Sequence, residues 1–150
     1  MSDYLEGKAV RKVTQGLQVT TTATIPGATT DIFNVVGGRV IVKQITGIVT
    51  TEIGAGAGNA RLLSDPTTLG AANLCNNLDI GGDVVGTMYG ITGTVATAMQ
   101  TGEAVLLAQV TPQIIPEGAI QFLTTAARDG EIQWEVQYTP IDDGAYIEAV

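Results

Sequence analysis

Hydrophobic and polar residues alternate most regularly near the end of the chain, over residues 131–138. Four apolar side chains share one side of the extended backbone there: Ile132, Trp134, Val136 and Tyr138. Glu and Gln occupy the other side, and strict alternation over eight residues predicts a strand with one buried face and one solvated face. Residues 127–130 end in Asp-Gly, and they predict a hairpin loop just before this strand. Ile120 and Phe122 would then face Ile132 and Trp134 across that hairpin.

Short extended segments predict strands over most of the remaining chain. Their ranges are 17–25, 31–36, 39–53, 59–64, 73–80, 84–89, 91–98, 103–110 and 119–125. Glycine- or proline-containing turns separate them. For residues 66–76 a short helix is the alternative, because Asp65 would cap it and Pro66 would take the first helical position. About ten short strands without helical periodicity predict an all-β, single-domain β-sandwich or barrel.

The longest extended stretch, residues 39–53, is apolar on both sides near its start. This pattern predicts either a central strand covered on both faces or a strand bent at Gly47. The glycine-alanine run at 54–58 has no Lys-Ser/Thr after it, as a phosphate-binding loop would require, and predicts a flexible connector.

The two ends of the chain differ from the strands between them. Residues 1–16 are polar and of mixed charge, and we interpret them as an arm, helical in part, that is held only by contact with a neighbour. Residues 17–150 then form the sandwich domain. At the other end, Pro140 ends the last predicted strand, and the apolar residues beyond it lack an element of their own. Such a tail docks either on its own domain or on a neighbour. The candidate interface residues are Lys8, Arg11, Lys12, Ile141, Tyr146 and Ile147.

Charge narrows the range of partners. The net charge is −8, and residues 13–150 contain four basic and thirteen acidic side chains, so the clustered Lys and Arg that bind phosphates are missing from the body. We therefore expect no nucleic-acid partner. Charged residues make up only 15% of the chain. Either a partner covers much of the surface, or Thr, Gln and Asn replace charges on it. No apolar run approaches the roughly 18 residues of a membrane helix, so we expect no membrane partner.

The chain offers little chemistry for catalysis. It contains no histidine, which excludes Ser–His and Cys–His nucleophiles and histidine metal sites. The single cysteine, Cys75, predicts a small buried hydrophobic residue. Asp79 and Asp83 flank a Gly-Gly turn and are weak candidates for holding a hard cation, because two carboxylates are few for six to eight ligands. Asp142 and Asp143 form a second acidic pair. We expect a protein that is not an enzyme and has no cofactor.

Three segments together resemble a known group of proteins. They are DIFNVVGGRVIV at 31–42, NLDI and GTMYGITG between 77 and 93, and GEIQWEVQYTP and GAY between 130 and 146. In order and spacing they resemble small virion structural proteins of tailed bacteriophages, in particular head decoration (cement) proteins. The resemblance covers residues 31–147 and leaves out the N-terminal arm.

The resemblance implies a jelly-roll-like β-sandwich that is made in the host cytoplasm. It further implies a homotrimer that binds the major capsid protein on the outer surface of the virion and stabilises the head. An acidic body suits an outer surface, because packaged DNA repels it. The alternative is a baseplate, neck or tail-fibre component, with glycan binding as an option. A host-type carbohydrate-binding module is a third reading, and it would require exposed aromatic side chains.

Overall fold

The architecture comes from a computed structural model, which describes residues 6–150. A helix, α1 (Gly7–Gln15), precedes twelve strands. In chain order the strands are β1 (Leu17–Pro26), β2 (Thr29–Val36), β3 (Val40–Thr51), β4 (Asn59–Pro66), β5 (Ala72–Asn73), β6 (Leu78–Asp79), β7 (Met88–Gly90), β8 (Gln100–Gly102), β9 (Gln113–Ile115), β10 (Gly118–Thr124), β11 (Ala127–Pro140) and β12 (Tyr146–Ala149). The first five residues of the predicted arm lie outside the described residues.

The strands form two antiparallel six-stranded sheets that pack face to face. Sheet A has the order β1-β11-β3-β7-β8, and β9 also pairs with β3; sheet B has the order β12-β2-β10-β4-β5, and β6 also pairs with β4. The first four strands alternate between the sheets, and the pairs β1–β11, β2–β10 and β3–β9 are nested. A long antiparallel hairpin rolled into two sheets is a jelly roll. The predicted all-β, jelly-roll-like sandwich is confirmed.

The core lies between the sheets and is centred on Trp134. All four apolar residues of the alternating segment are buried, as predicted. The indole ring of Trp134 lies 5.2 Å from the ring of Phe122 and 6.3 Å from that of Tyr89, measured between centroids. Gly47 pairs with Trp134 in the sheet, and a side chain at Gly47 would collide with the indole ring. The large ring therefore fits because the facing position has no side chain.

A β-bulge explains why β3 is apolar on both sides near its start. Gln137 pairs with Gln44 but Tyr138 pairs with Val42, so Lys43 is the extra residue of a bulge. The extra residue reverses the alternation, so that Val40 and Val42 before it and Ile45 and Val49 after it point into the core, whereas Ile48 faces the outer side. β3 is also central, because β11 lies on one side of it and β7 and β9 lie on the other.

Several predicted strands are wrong. Residues 91–98 and 103–110 form irregular connections around the short strand β8. Their backbone groups bond locally: the amides of Val110 and Thr111 both donate to the carbonyl of Thr92. The strand predicted over residues 73–80 is broken into the short strands β5 and β6, and of the strand predicted over 84–89 only the last two residues form part of β7. The alternative helix over residues 66–76 does not form. These apolar segments lack an aligned partner strand, which sequence alone does not reveal.

The predicted hairpin loop at 127–130 is also wrong. β11 already begins at Ala127, and Gly130 lies within an irregularity where Thr24 pairs with Glu131 but Ile25 pairs with Arg128. β10 and β11 belong to opposite sheets, so the connection at 125–126 crosses the sandwich. Phe122 and Trp134 do meet, but they meet across the core and not as neighbours in one sheet.

Candidate interaction surfaces

The helix α1 carries the three basic candidates and buries none of its residues. Lys8, Arg11 and Lys12 follow the spacing of one helical face and, with Gln15, border a hollow against Gln18 of β1. Val10 and Val13 are 41% and 81% exposed and lie on the other side of the helix. The helix is therefore amphipathic, and within residues 6–150 its apolar side is not buried.

The C-terminal tail does form an element of its own, contrary to the prediction. β12 pairs with β2 at the edge of sheet B, with Tyr146 opposite Val36 and Ile147 opposite Val35. Ile147 is only 3% exposed and belongs to the core. The tail thus docks on its own domain, and the side chain of Ile147 is not available to a partner. Tyr146 and Ile141 remain 44% and 38% exposed.

An ion pair fastens the start of the tail to the β2–β3 turn. The Arg39 guanidinium donates two hydrogen bonds to the Asp142 carboxylate, Nη2 to Oδ1 at 2.7 Å and Nε to Oδ2 at 2.9 Å. The Arg39 backbone amide also donates to Asp142 Oδ2 at 2.7 Å. These side-chain and backbone hydrogen bonds lower the pKa of Asp142 to about 2. The backbone amide of Ile141 donates to the carbonyl of Arg39, which completes the attachment.

The weak metal candidates Asp79 and Asp83 have separate structural roles. Asp79 Oδ1 accepts hydrogen bonds from the amides of Gly58 at 2.9 Å and Gly81 at 3.0 Å, and these bonds lower the pKa of Asp79. Asp83 accepts a hydrogen bond from the Tyr89 hydroxyl. Within residues 6–150, no group of three or more His, Cys, Asp or Glu side chains is placed to hold a metal ion. The two carboxylates therefore stabilise neighbouring loops.

The segment 84–114 exposes a series of apolar side chains that the sequence reasoning missed, because most of the segment was assigned to strands. It contains one charged residue, Glu103. Its large exposed hydrophobic residues are Val84, Val85, Val95, Val105, Leu107, Val110 and Ile114. We call this the 84–114 surface. Its residues lie in more than one place: Val105 lines a groove on the outer face of sheet A, whereas Val95 and Ile114 line a hollow with Pro66 and Leu69. The almost charge-free sequence was the signal that could have indicated it.

A groove crosses the outer face of sheet A next to this surface. It has a volume of about 530 Å³ and reaches from Thr20 on β1 to Met88 on β7. Ile48 and Leu106 supply apolar lining, and Glu135 supplies a carboxylate. Glu131 shares the outer side of β11 with Glu135, and Glu103 directly precedes the lining residue Ala104. We call this feature the sheet A groove; its lining is apolar and polar, with Glu135 as its charged residue.

Two further observations complete the description. Among residues 6–150, no helix is long and apolar enough to cross a membrane. Comparisons with protein-family models, with curated proteins and with solved structures each give no match to this chain.

Proposed function

We propose that this protein is a non-enzymatic decoration protein of a tailed-bacteriophage capsid. It binds the major capsid protein on the outer surface of the head as a homotrimer and stabilises the shell. The 84–114 surface is the observation that carries this proposal. Many exposed apolar side chains in a segment with a single charge are typical of protein interfaces, whose cores are poor in Lys, Glu and Asp.

The charge distribution supports contact between copies at this surface. Residues 17–150 contain four basic and thirteen acidic side chains, so two bodies repel each other over most orientations. Repulsion is weakest where the surface lacks charge, and the 84–114 surface contains only Glu103. Apolar burial there favours association, and the acidic remainder disfavours alternative contacts.

The aromatic residues disfavour a glycan-binding role. Jelly rolls occur in capsid proteins and in lectins, so the fold alone does not decide between them. Five aromatic side chains are buried: Phe33, Tyr89, Phe122, Trp134 and Tyr138. Among the described residues, only Tyr146 remains as a largely exposed aromatic ring. A sugar platform of stacked aromatic rings is therefore missing from this part of the chain.

Cryo-electron microscopy of the native particle tests the location. We expect copies in the hundreds on the outside of the head, and heads lacking the protein should lose their DNA at lower temperature. A dozen copies or fewer at the neck, baseplate or fibres would support the tail alternative instead. Heads that contain none of this chain would overturn the proposal.

Substitution within the 84–114 surface tests the contact between copies. Leu107 and Val110 are 68% and 81% exposed, so Leu107→Asp with Val110→Asp places two charges in the proposed interface without disturbing the core. We expect at least about a tenfold weaker association, measured by sedimentation. Val150→Asp is the control, because Val150 is 64% exposed but lies outside this surface. Unchanged trimers in the double variant would contradict the proposed interface.

A further inference from the structure

We propose that α1 of one copy docks into the sheet A groove of a neighbouring copy. This inference rests on the proposed function to the extent that it requires copies to assemble, and it names the partner of the arm. The occupant of the groove is thus a second copy of this chain, and the ligand is its basic, amphipathic helix.

The helix needs a partner. Nine residues are too few for a stable isolated helix in water, so its stability has to come from packing of an apolar face. Val10 and Val13 form that face, and at 41% and 81% exposure neither belongs to the core of its own domain. The basic residues border the hollow against Gln18, so the apolar side is turned away from the domain to which the helix belongs.

Charge complementarity favours the body of another copy as the partner. Residues 6–16 contain three basic side chains and one acidic one, whereas residues 17–150 contain four basic and thirteen acidic ones. Opposite net charges attract the arm to a body and orient it during encounter. A nucleic acid or an anionic surface would attract the arm as well, but the acidic body would be repelled from either.

The groove matches the helix in length and in chemistry. Nine helical residues extend about 14 Å, and the four strands from β1 to β7 span about 14 Å at their usual spacing. The apolar lining includes Ile48 and Leu106, which suit Val10 and Val13. Because the valines and the basic residues lie on opposite sides of the helix, docking of the valines leaves Lys8, Arg11 and Lys12 facing away from the groove, where they respond to the net acidic charge of the body.

The connection to β1 disfavours docking of a helix into the groove of its own copy. One residue, Gly16, separates α1 from β1. Gly16 has a φ of 89°, and its α-carbon lies so close to the Tyr138 carbonyl that any side chain would collide with it. To direct its valines at its own sheet, the helix would have to reverse its orientation by a rotation at Gly16 alone, and this residue is tightly packed.

Cross-linking between two different variants tests the contact. One chain carries Val13→Cys and the other Ile48→Cys; they are co-expressed with tags of different size and treated with a short bismaleimide. We expect a mixed two-chain product. The matched control replaces Ile48→Cys by Ile141→Cys, since these two side chains are 39% and 38% exposed. The natural Cys75 is 1% exposed, so chains without an added cysteine serve as the blank.

Each outcome has a defined meaning. A product with Ile48→Cys that exceeds the Ile141→Cys control several-fold supports the proposal. Equal yields with both partners, or no product with either, overturn it. A chain that carries both Val13→Cys and Ile48→Cys and cross-links only within itself also overturns it, because the helix then fills its own groove.

Charge reversal provides a second measurement. Lys8→Glu, Arg11→Glu and Lys12→Glu together should reduce the mixed product several-fold, and 1 M salt should reduce the wild-type product as well, because the screening length falls to about 3 Å. A yield that is unchanged in both cases contradicts the charge argument. If the chain is found on heads but the mixed product is missing, the proposed docking of the helix is wrong and the proposed capsid function stands. If the mixed product forms but the chain is not on heads, the proposed capsid function fails alone.

Discussion

The two ends of the chain carry similar apolar side chains but use them in opposite ways. At the C-terminus, Ile147 is 3% exposed and packs into the core, whereas at the N-terminus Val13 is 81% exposed. The difference does not lie in hydrophobicity. β12 finds a free strand edge on β2 that accepts its backbone hydrogen bonds and directs Ile147 between the sheets. In the part of the chain that the structure describes, α1 buries none of its residues, so its valines remain available to a partner.

The largest expected effect is a difference in the free energy of unfolding between a variant at the C-terminal end and a variant at the N-terminal end. Ile147→Ala removes a buried side chain at the edge of the core and should lower the free energy of unfolding by about 2–5 kcal/mol. Val13→Ala removes a comparable apolar group from the surface and should change it by less than about 0.5 kcal/mol. Urea denaturation of both variants at one fixed protein concentration measures the difference. Similar losses in the two variants would contradict the assigned roles of the two ends.

A smaller effect concerns the ion pair that fastens the tail. The pKa of Asp142 is about 2, below its ordinary value of 3.8, so the ionised form is favoured in the folded state. The resulting stabilisation is fully present above about pH 4 and is lost as the pH falls through about 2. Asp142→Asn should lower the unfolding temperature slightly at pH 7, because the pair is exposed to solvent.

The pH dependence sharpens this test. The difference between the wild type and Asp142→Asn should shrink as the pH approaches 2, when the wild-type carboxylate takes up its proton. Asp143→Asn is the control, because the neighbouring Asp142 and not Asp143 bonds to Arg39. A difference that is the same at pH 7 and pH 2, measured by thermal unfolding, would show that the ion pair is not its cause.

The smallest expected effect is on the domain when the arm is removed. Among the described residues of the arm, 6–15, none belongs to the core. We therefore expect that deletion of residues 1–15 leaves the unfolding temperature of the dissociated chain within a degree or two of that of the full chain. The assembled protein should respond differently and should sediment at lower mass. A clear loss of stability in the dissociated domain would indicate that the arm packs on its own copy.

The sequence predicts most accurately those strands whose alternation is uninterrupted. Residues 131–138 direct Ile132, Trp134, Val136 and Tyr138 inward as expected, because one buried face imposes a period of two. Within β3 the bulge at Lys43 reverses that period, and only the partner strand reveals an extra residue. The pattern therefore indicated a strand but not which of its residues face the core.

The candidate surfaces were harder to predict, because they depend on which segments find partners. Residues 91–98 and 103–110 have the composition of strands, yet they form irregular connections and leave Val95, Leu107 and Val110 exposed. Ile147 is an equally apolar residue, but it is buried because β2 offers a free edge to the strand that contains it. A single sequence does not contain the positions of these edges, so the 84–114 surface and the docked tail both required the structure.

The nested pairing of the strands has a consequence for the order in which the protein forms. Among the described strands β1 pairs with β11 alone, and Leu17 at its start pairs with Tyr138, more than a hundred residues later. Closing so long a loop costs entropy before any contact compensates for it, so folding should take milliseconds to seconds or longer. During synthesis, β1 cannot pair until the residues up to Tyr138 have emerged from the ribosome. The helix α1, which directly precedes β1, lacks the support of a completed sandwich for all of that time.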